Sequence, residues 1–208
     1  MSGRFITLEG GEGVGKSTQL KALAQKLAAR GLDVVTTREP GGSTGAEAIR
    51  ALLLTGEKGR WSARAEALLF AAARADHVEK MIRPALAAGK WVLCDRFLDS
   101  SRAYQSAASG LADADILALH RFGSEGLLPD RTLVLRLPEA EAEVRTAARD
   151  GDTPDRFGAR ASTFHRKVAA AFVRYAADEP DRFHLIDALG SADAVTARLV
   201  SALSDMLP

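Results

Sequence analysis

The chain contains one cysteine, Cys94, and no asparagine. A lone cysteine excludes a disulfide framework and any cysteine-built metal site. The four histidines, His77, His120, His165 and His184, lack ligand-like spacing and read as structural or surface residues. Without asparagine there is no N-K-x-D motif, the guanine reader of GTPase switches. Net charge is also nearly absent, +1 with 26% charged residues, so no electrostatic grip on nucleic acid or on an anionic membrane is expected. No apolar run approaches the length of a membrane span, and a strand pattern starts almost at the first residue, leaving no room for a signal peptide. The expectation is a soluble, cytoplasmic protein, folded as one domain over residues 1–208.

What is present is an alternation of strands and helices. Short β-branched and apolar runs at 4–10, 32–38, 90–96, 131–137 and 183–187 read as five strands. Between them, helical periodicity covers 16–30, 43–56, 61–88, 101–109, 112–124, 139–149, 161–177 and 192–206. Ser43 is placed to cap the second helix, and Pro84 to kink or tighten the end of the third. Such alternation predicts an α/β fold of three layers, a five-stranded parallel sheet with helices on both faces. Residues 148–160, "RDGDTPDRFGAR" with the alanine before it, break the pattern with charge, Gly and Pro. They suit either a flap over a site or an ordinary solvated loop.

The first strand runs into Gly10-Gly11-Glu12-Gly13-Val14-Gly15-Lys16-Ser17, which fits G-x-x-x-x-G-K-[ST] between a strand and a helix, the context that motif requires. Glycines let backbone N–H groups converge on phosphate oxygens, and the following helix turns its positive end toward them. Lys16 brings a point charge to the β- and γ-phosphates, and Ser17 a hydroxyl to Mg²⁺. Residues 10–18, closing with Thr18, are therefore the predicted ATP site. The odd member is Glu12, an acid in a loop built for anions. With the GTPase class set aside and no LSGGQ-like segment of a transport ATPase, a small-molecule kinase leads, and it needs a second pocket.

"TREPGG", residues 37–42, follows the second strand, where open α/β sheets place ligands. Arg38 suits a terminal phosphate, although Arg38 and Glu39 also suit a surface ion pair. From residue type and position alone, Phe70 reads as core, Arg74 as surface and Tyr104 as a packed aromatic.

The two motifs together resemble the thymidylate kinase family, P-loop enzymes of the nucleoside-monophosphate-kinase type that phosphorylate dTMP with ATP. "LLLTG", "LLFAAARADHVEKMIRPALAAGKWVLCDRFLDSSRAYQ", "PDRTLVLRLP", "DRF" and "FHRKVAAAFVRYA" follow that family's pattern in order. The resemblance implies that Phe70 stacks on thymine and Arg74 hydrogen-bonds its edge. It implies that Arg96 joins Arg38 on the acceptor phosphate, that Asp95 sits near Mg²⁺, and that Ser101, Tyr104 and Gln105 lie near the base and sugar. Glu12 is implied at the acceptor's 3′-hydroxyl or at the metal. Because the phosphate loop carries no basic residue among positions 11–14, charge for the transition state is implied to come from a lid at about 148–160, with Arg149 and Arg156 leading and Arg145 and Arg160 behind them. Gly158 stands where the family often has Glu, which removes any lid contact made through that carboxylate. A homodimer is the family expectation. Two rivals stay open: a kinase for another nucleoside monophosphate, and a non-catalytic ATP-binding regulator.

Overall fold

The structure is a computed structural model that describes residues 3–57, 59–150 and 160–207, with the side chains of 143 and 146–150 set aside. Five strands, β1 (Arg4–Glu9), β2 (Val34–Arg38), β3 (Trp91–Asp95), β4 (Arg131–Arg136) and β5 (Phe183–Asp187), form one sheet in the order β2-β3-β1-β4-β5. Every neighbouring pair is parallel. The predicted sheet is therefore present strand for strand. β1 and β3 are buried on both faces, so β3 is apolar from Trp91 to Cys94 and β1 buries even its polar Thr7 and Glu9.

One face carries α1 (Lys16–Ala28) and α9 (Ala192–Ser201), where Leu23, Leu27, Val195 and Leu199 meet Ile6, Leu8 and Leu133. On the other, α3 (Ala63–His77) and α6 (Asp113–Ser124) close over Phe5, Val92, Cys94 and Phe97. α8 (Ser162–Asp178) packs Val168, Phe172 and Tyr175 against Val134 and Phe183. α2 (Thr44–Leu54) begins at Ser43, whose Oγ accepts from Ala46 N as expected of an N-cap.

Two helices differ from their sequence reading. The pattern over 61–88 resolves into α3, a π-helical segment Val78–Ile82 and α4 (Arg83–Ala87). Pro84 has no N–H to give to the carbonyl four residues back and its ring crowds that carbonyl, so the turn before it widens. The helix read at 101–109 is instead α5 (Leu98–Ser101) followed by a second π-helical segment, Arg102–Ala107. A π turn rotates the side chains that follow, and this one carries Tyr104 and Gln105. α7 (Glu139–Asp150) leads to the segment 151–159, which lies outside the described residues along with Arg156 and Gly158.

Candidate active site

Loops leave the carboxyl ends of the adjacent strands β2, β3 and β1 and meet above the sheet. The register sets Arg38 beside Asp95 and Asp95 beside Leu8. Three motifs far apart in sequence are thus brought to one edge. They border a cleft of about 520 Å³, the size of a small-ligand site.

The loop after β1 is shaped by Gly10, at φ 131, where an added Cβ would stand 2.4 Å from the Leu135 carbonyl oxygen. Only glycine lets the chain pass that close to β4. Val14 turns down into the core, while Glu12, Gly13, Gly15, Lys16, Ser17 and Thr18 line the cleft. Gly10 and Gly11 contribute carbonyls, which accept from Lys16 Nζ at 3.2 and 2.6 Å. Burial, aided by the charge of Arg96, pulls the Lys16 pKa down to about 8. Ser17 Oγ donates to Asp95 Oδ2 at 2.6 Å, so the residues read as metal ligands do stand together. Among the described residues no cluster of three acidic, His or Cys side chains could cage a metal. Mg²⁺ needs no such cage, since it takes one or two protein oxygens and completes its shell with phosphate and water. The Ser17–Asp95 pair fits it.

Arg96 explains Glu12. Its backbone is left-handed at φ 70, an uncommon state for a non-glycine residue, and its guanidinium reaches back over the loop. Nη2 donates to Glu12 Oε1 at 2.6 Å, and Nη1 to the Gly10 carbonyl and Ser100 Oγ, each at 3.1 Å. The guanidinium lies over the Tyr104 ring at 5.1 Å, and Tyr104 donates its hydroxyl to Glu12 Oε1 at 3.2 Å. Tyr104 is therefore both packed and at the cleft, where burial raises its pKa. Beneath this group Glu9 accepts from Phe97 N at 2.8 Å and from Ser100 Oγ at 2.6 Å. Burial, with the nearby charge of Asp99, raises the Glu9 pKa to about 7.

The far side of the cleft is lined by Arg38, Glu39, Pro40, Arg50, Phe70, Arg74, Ser101 and Gln105. Arg38 and Glu39 do not pair. Arg38 gives Nη2 to both Glu47 oxygens at 3.0 and 3.1 Å, while Glu39 turns inward, because successive residues leaving a strand point to opposite sides. Glu39 Oε2 accepts from Arg74 Nε at 2.7 Å. This corrects the sequence reading of Arg74 as a surface residue. It is 3% exposed, because a carboxylate 35 positions away neutralises it in the interior. Phe70, read as core, is half-buried and contributes to the cleft wall. Gln105 donates to Glu66 Oε1 at 3.0 Å.

Of the four arginines considered for the lid, Arg145 lines the cleft. Arg149 has only its backbone described, in α7, and Arg156 lies outside the described residues. Arg160 is anchored away from the reacting centre, donating to both oxygens of Glu66 and to Ser109 Oγ, over the Phe164 ring. Sequence reasoning missed Arg50, which donates to the Pro40 carbonyl at 2.7 Å and lines the cleft. It sits in an ordinary amphipathic helix, and only the placement of α2 behind the turn distinguishes it.

A sequence profile of the thymidylate kinase family matches residues 8–199. Over 208 residues the chain is 64% identical to a thymidylate kinase of Rhizorhabdus wittichii, covering 100% of both. Over 206 residues it is 51% identical to one of Bradyrhizobium diazoefficiens, covering 99% of this chain and 90% of that one. The crystal structure of thymidylate kinase from Ehrlichia chaffeensis superposes with a TM-score of 0.77 at 30% identity, covering 98% of this chain and 99% of that one. With the P-loop, the "TREPGG" turn and the Phe70–Arg74 wall on one cleft, and with kinship along the whole length, the chain belongs to the thymidylate kinase family.

Proposed function

We propose that the protein transfers the γ-phosphoryl group of ATP to dTMP, giving dTDP and ADP. The observation that carries this reading is a single cleft with a P-loop at one end and the Arg38 turn, Phe70 and Arg74 at the other. ATP phosphates lie on the loop of residues 10–18, with backbone N–H groups and the start of α1 supplying partial positive charge. Lys16 exchanges its loop carbonyls for phosphate oxygens, whose charge favours its protonated form. The acceptor phosphate is received by Arg38, Arg50 and Arg96, and the base stacks on Phe70 with Arg74, Ser101 and Gln105 at its edge. Tyr104 and Glu12 border the deoxyribose.

In the reaction an oxygen of the dTMP phosphate forms a bond to the γ-phosphorus, and the bond from that phosphorus to the β,γ-bridging oxygen breaks, its electrons remaining on ADP. No covalent enzyme intermediate is needed, since positioning and charge neutralisation supply the rate. Mg²⁺ bound by Ser17 and Asp95 would neutralise phosphate charge. Further positive charge at the transferring group comes from Arg145, Arg149 or Arg156, of which Arg149 and Arg156 belong to a lid at about 148–160 within a single domain.

The protein works in the cytoplasm as a homodimer, with neither nucleic acid nor membrane as a partner. Among the described residues no helix is long and apolar enough to cross a membrane. Supporting the dimer, Phe122 on α6 is 92% exposed and Leu68 on the neighbouring α3 is 56% exposed.

An ADP-release assay with dTMP, dUMP, dCMP, dGMP and AMP as acceptors tests the reading. Preference for dTMP is expected. Preference for another monophosphate would replace the acceptor, and no transfer to any would leave a non-catalytic ATP binder.

A further inference from the structure

The motif "TREPGG" carries a residue that the phosphate end of the site does not use. Glu39 turns away from Arg38 and is almost fully buried. One of its oxygens accepts from Arg74 Nε at 2.7 Å, and the other faces His77 Nδ1 at 3.1 Å. Because a carboxylate only accepts, the proton on that ring edge belongs to Nδ1. His77 Nε2 then meets Thr37 Oγ1, at 2.7 Å, on β2 itself. The turn is moulded on the same imidazole, since a Cβ added at Gly42 would stand 2.3 Å from His77 Nε2. Thr37, His77, Glu39 and Arg74 thus form one chain, half-buried at Thr37 and buried beyond it, running from the strand that ends in the Arg38 turn to the guanidinium on the cleft wall.

That chain meets Arg74 on one edge, and α5 meets it on another. Arg74 Nη2 donates to the Phe97 carbonyl at 3.2 Å and to Ser101 Oγ at 2.8 Å. Nε and Nη2 are occupied by these bonds, and among the described residues Nη1 takes part in none of them. Since Arg74 lines the cleft, Nη1 is the nitrogen left for a ligand. A buried charge pair is weak evidence of a stabilising role, because apolar residues of similar volume often serve stability as well. An arrangement that spends two buried charges and a histidine to hold one guanidinium calls for another purpose.

We propose that Glu39 and His77 are positioning residues for base selection: they hold Arg74 at a set distance from the Arg38 turn, so that the acceptor is read at its phosphate and its base edge by one rigid unit. This rests on the dTMP kinase reading above. The chemistry gives the selection its sign. A guanidinium only donates, so it accepts a base edge presenting a carbonyl, as thymine does, and leaves a donor facing a donor where cytosine presents an amino group. Discrimination then depends on the guanidinium staying where it is aimed.

The test compares wild type, Glu39→Gln, His77→Asn and His77→Ala with dTMP and dCMP as acceptors. Glu39→Gln keeps the shape and loses the charge. His77→Asn retains a donor where Nδ1 stands, and His77→Ala removes it. The ratio of kcat/KM for dTMP over dCMP is expected to fall by about tenfold or more in Glu39→Gln and His77→Ala. His77→Asn should stay near wild type, and KM for MgATP should change by less than about twofold in all. A purely structural role would lower thermal stability and leave the ratio alone. An unchanged ratio in Glu39→Gln overturns the proposal, and should that variant fail to fold, an unchanged ratio in His77→Ala does so. Failure of the activity reading itself is visible separately, as a wild-type enzyme that does not use dTMP.

Discussion

Lys16 and Glu9 show how strongly burial acts on single residues at this site. Lys16 is buried against its own loop carbonyls, with its pKa drawn down to about 8. Its charge is therefore costly to the apo fold and useful only against phosphate. Lys16→Ala is expected to cut kcat by roughly 10²–10³-fold, with a melting curve no lower than wild type, measured by steady-state assay and thermal denaturation. Glu9 behaves in the opposite sense. Its pKa stands near 7 in the fold against 4.5 for a free carboxyl, so the native state holds its proton more tightly than the unfolded chain. The group's contribution to stability is thus fully present below about pH 4.5, is lost progressively as pH rises to about 7, and is flat above that. Glu9→Gln should remove up to about 3 kcal/mol of that decline. Urea unfolding at pH 5 and pH 7.5 reads it as a smaller difference between the two conditions than wild type shows. Neither shift is legible in sequence, since both follow from desolvation by segments that pack over the loop.

Among the elements, the turn after β2 and the segment after β3 do most to shape the cleft. The turn is legible from Pro40-Gly41-Gly42, but its rigidity is not, because the imidazole it wraps belongs to α3. Gly42 holds φ 88, and a Cβ there would also stand 2.4 Å from Thr37 Oγ1. Gly42→Ala is expected to destabilise the fold by about 2–4 kcal/mol and to raise KM for dTMP more than for ATP, as denaturant melts and two-substrate kinetics would register. After β3, helical periodicity over 101–109 is real, yet the chain forms α5 and then a π segment. Spacing rules assume 3.6 residues per turn, and a π insertion breaks that assumption locally. Tyr104 reaches Glu12 from within that insertion.

Taken whole, the molecule leaves apolar surface at Phe122 of α6 and Leu68 of α3, neighbouring helices that touch where Gly123 meets Ala75. If this surface joins the proposed dimer, Phe122→Glu should weaken association at least about tenfold, since losing one buried aromatic forfeits roughly 1.5–3 kcal/mol; sedimentation velocity across a dilution series would detect it, and an unshifted dimer would place the interface elsewhere. The sequence by itself determined the positions along the chain and the kind of the five strands, the phosphate loop and the kinship, because each is written in local pattern or short contiguous motifs. Only the tertiary structure decided that Arg74 is an interior residue, that Arg96 neutralises Glu12, that Arg50 faces the cleft and that Arg160 is tied to Glu66. For Arg74, Arg96 and Arg160 the partner is dozens of residues away, and for Arg50 it is a turn carbonyl ten residues back; a charge does not reveal from its own neighbours whether folding will leave it in water or bring it a counter-charge.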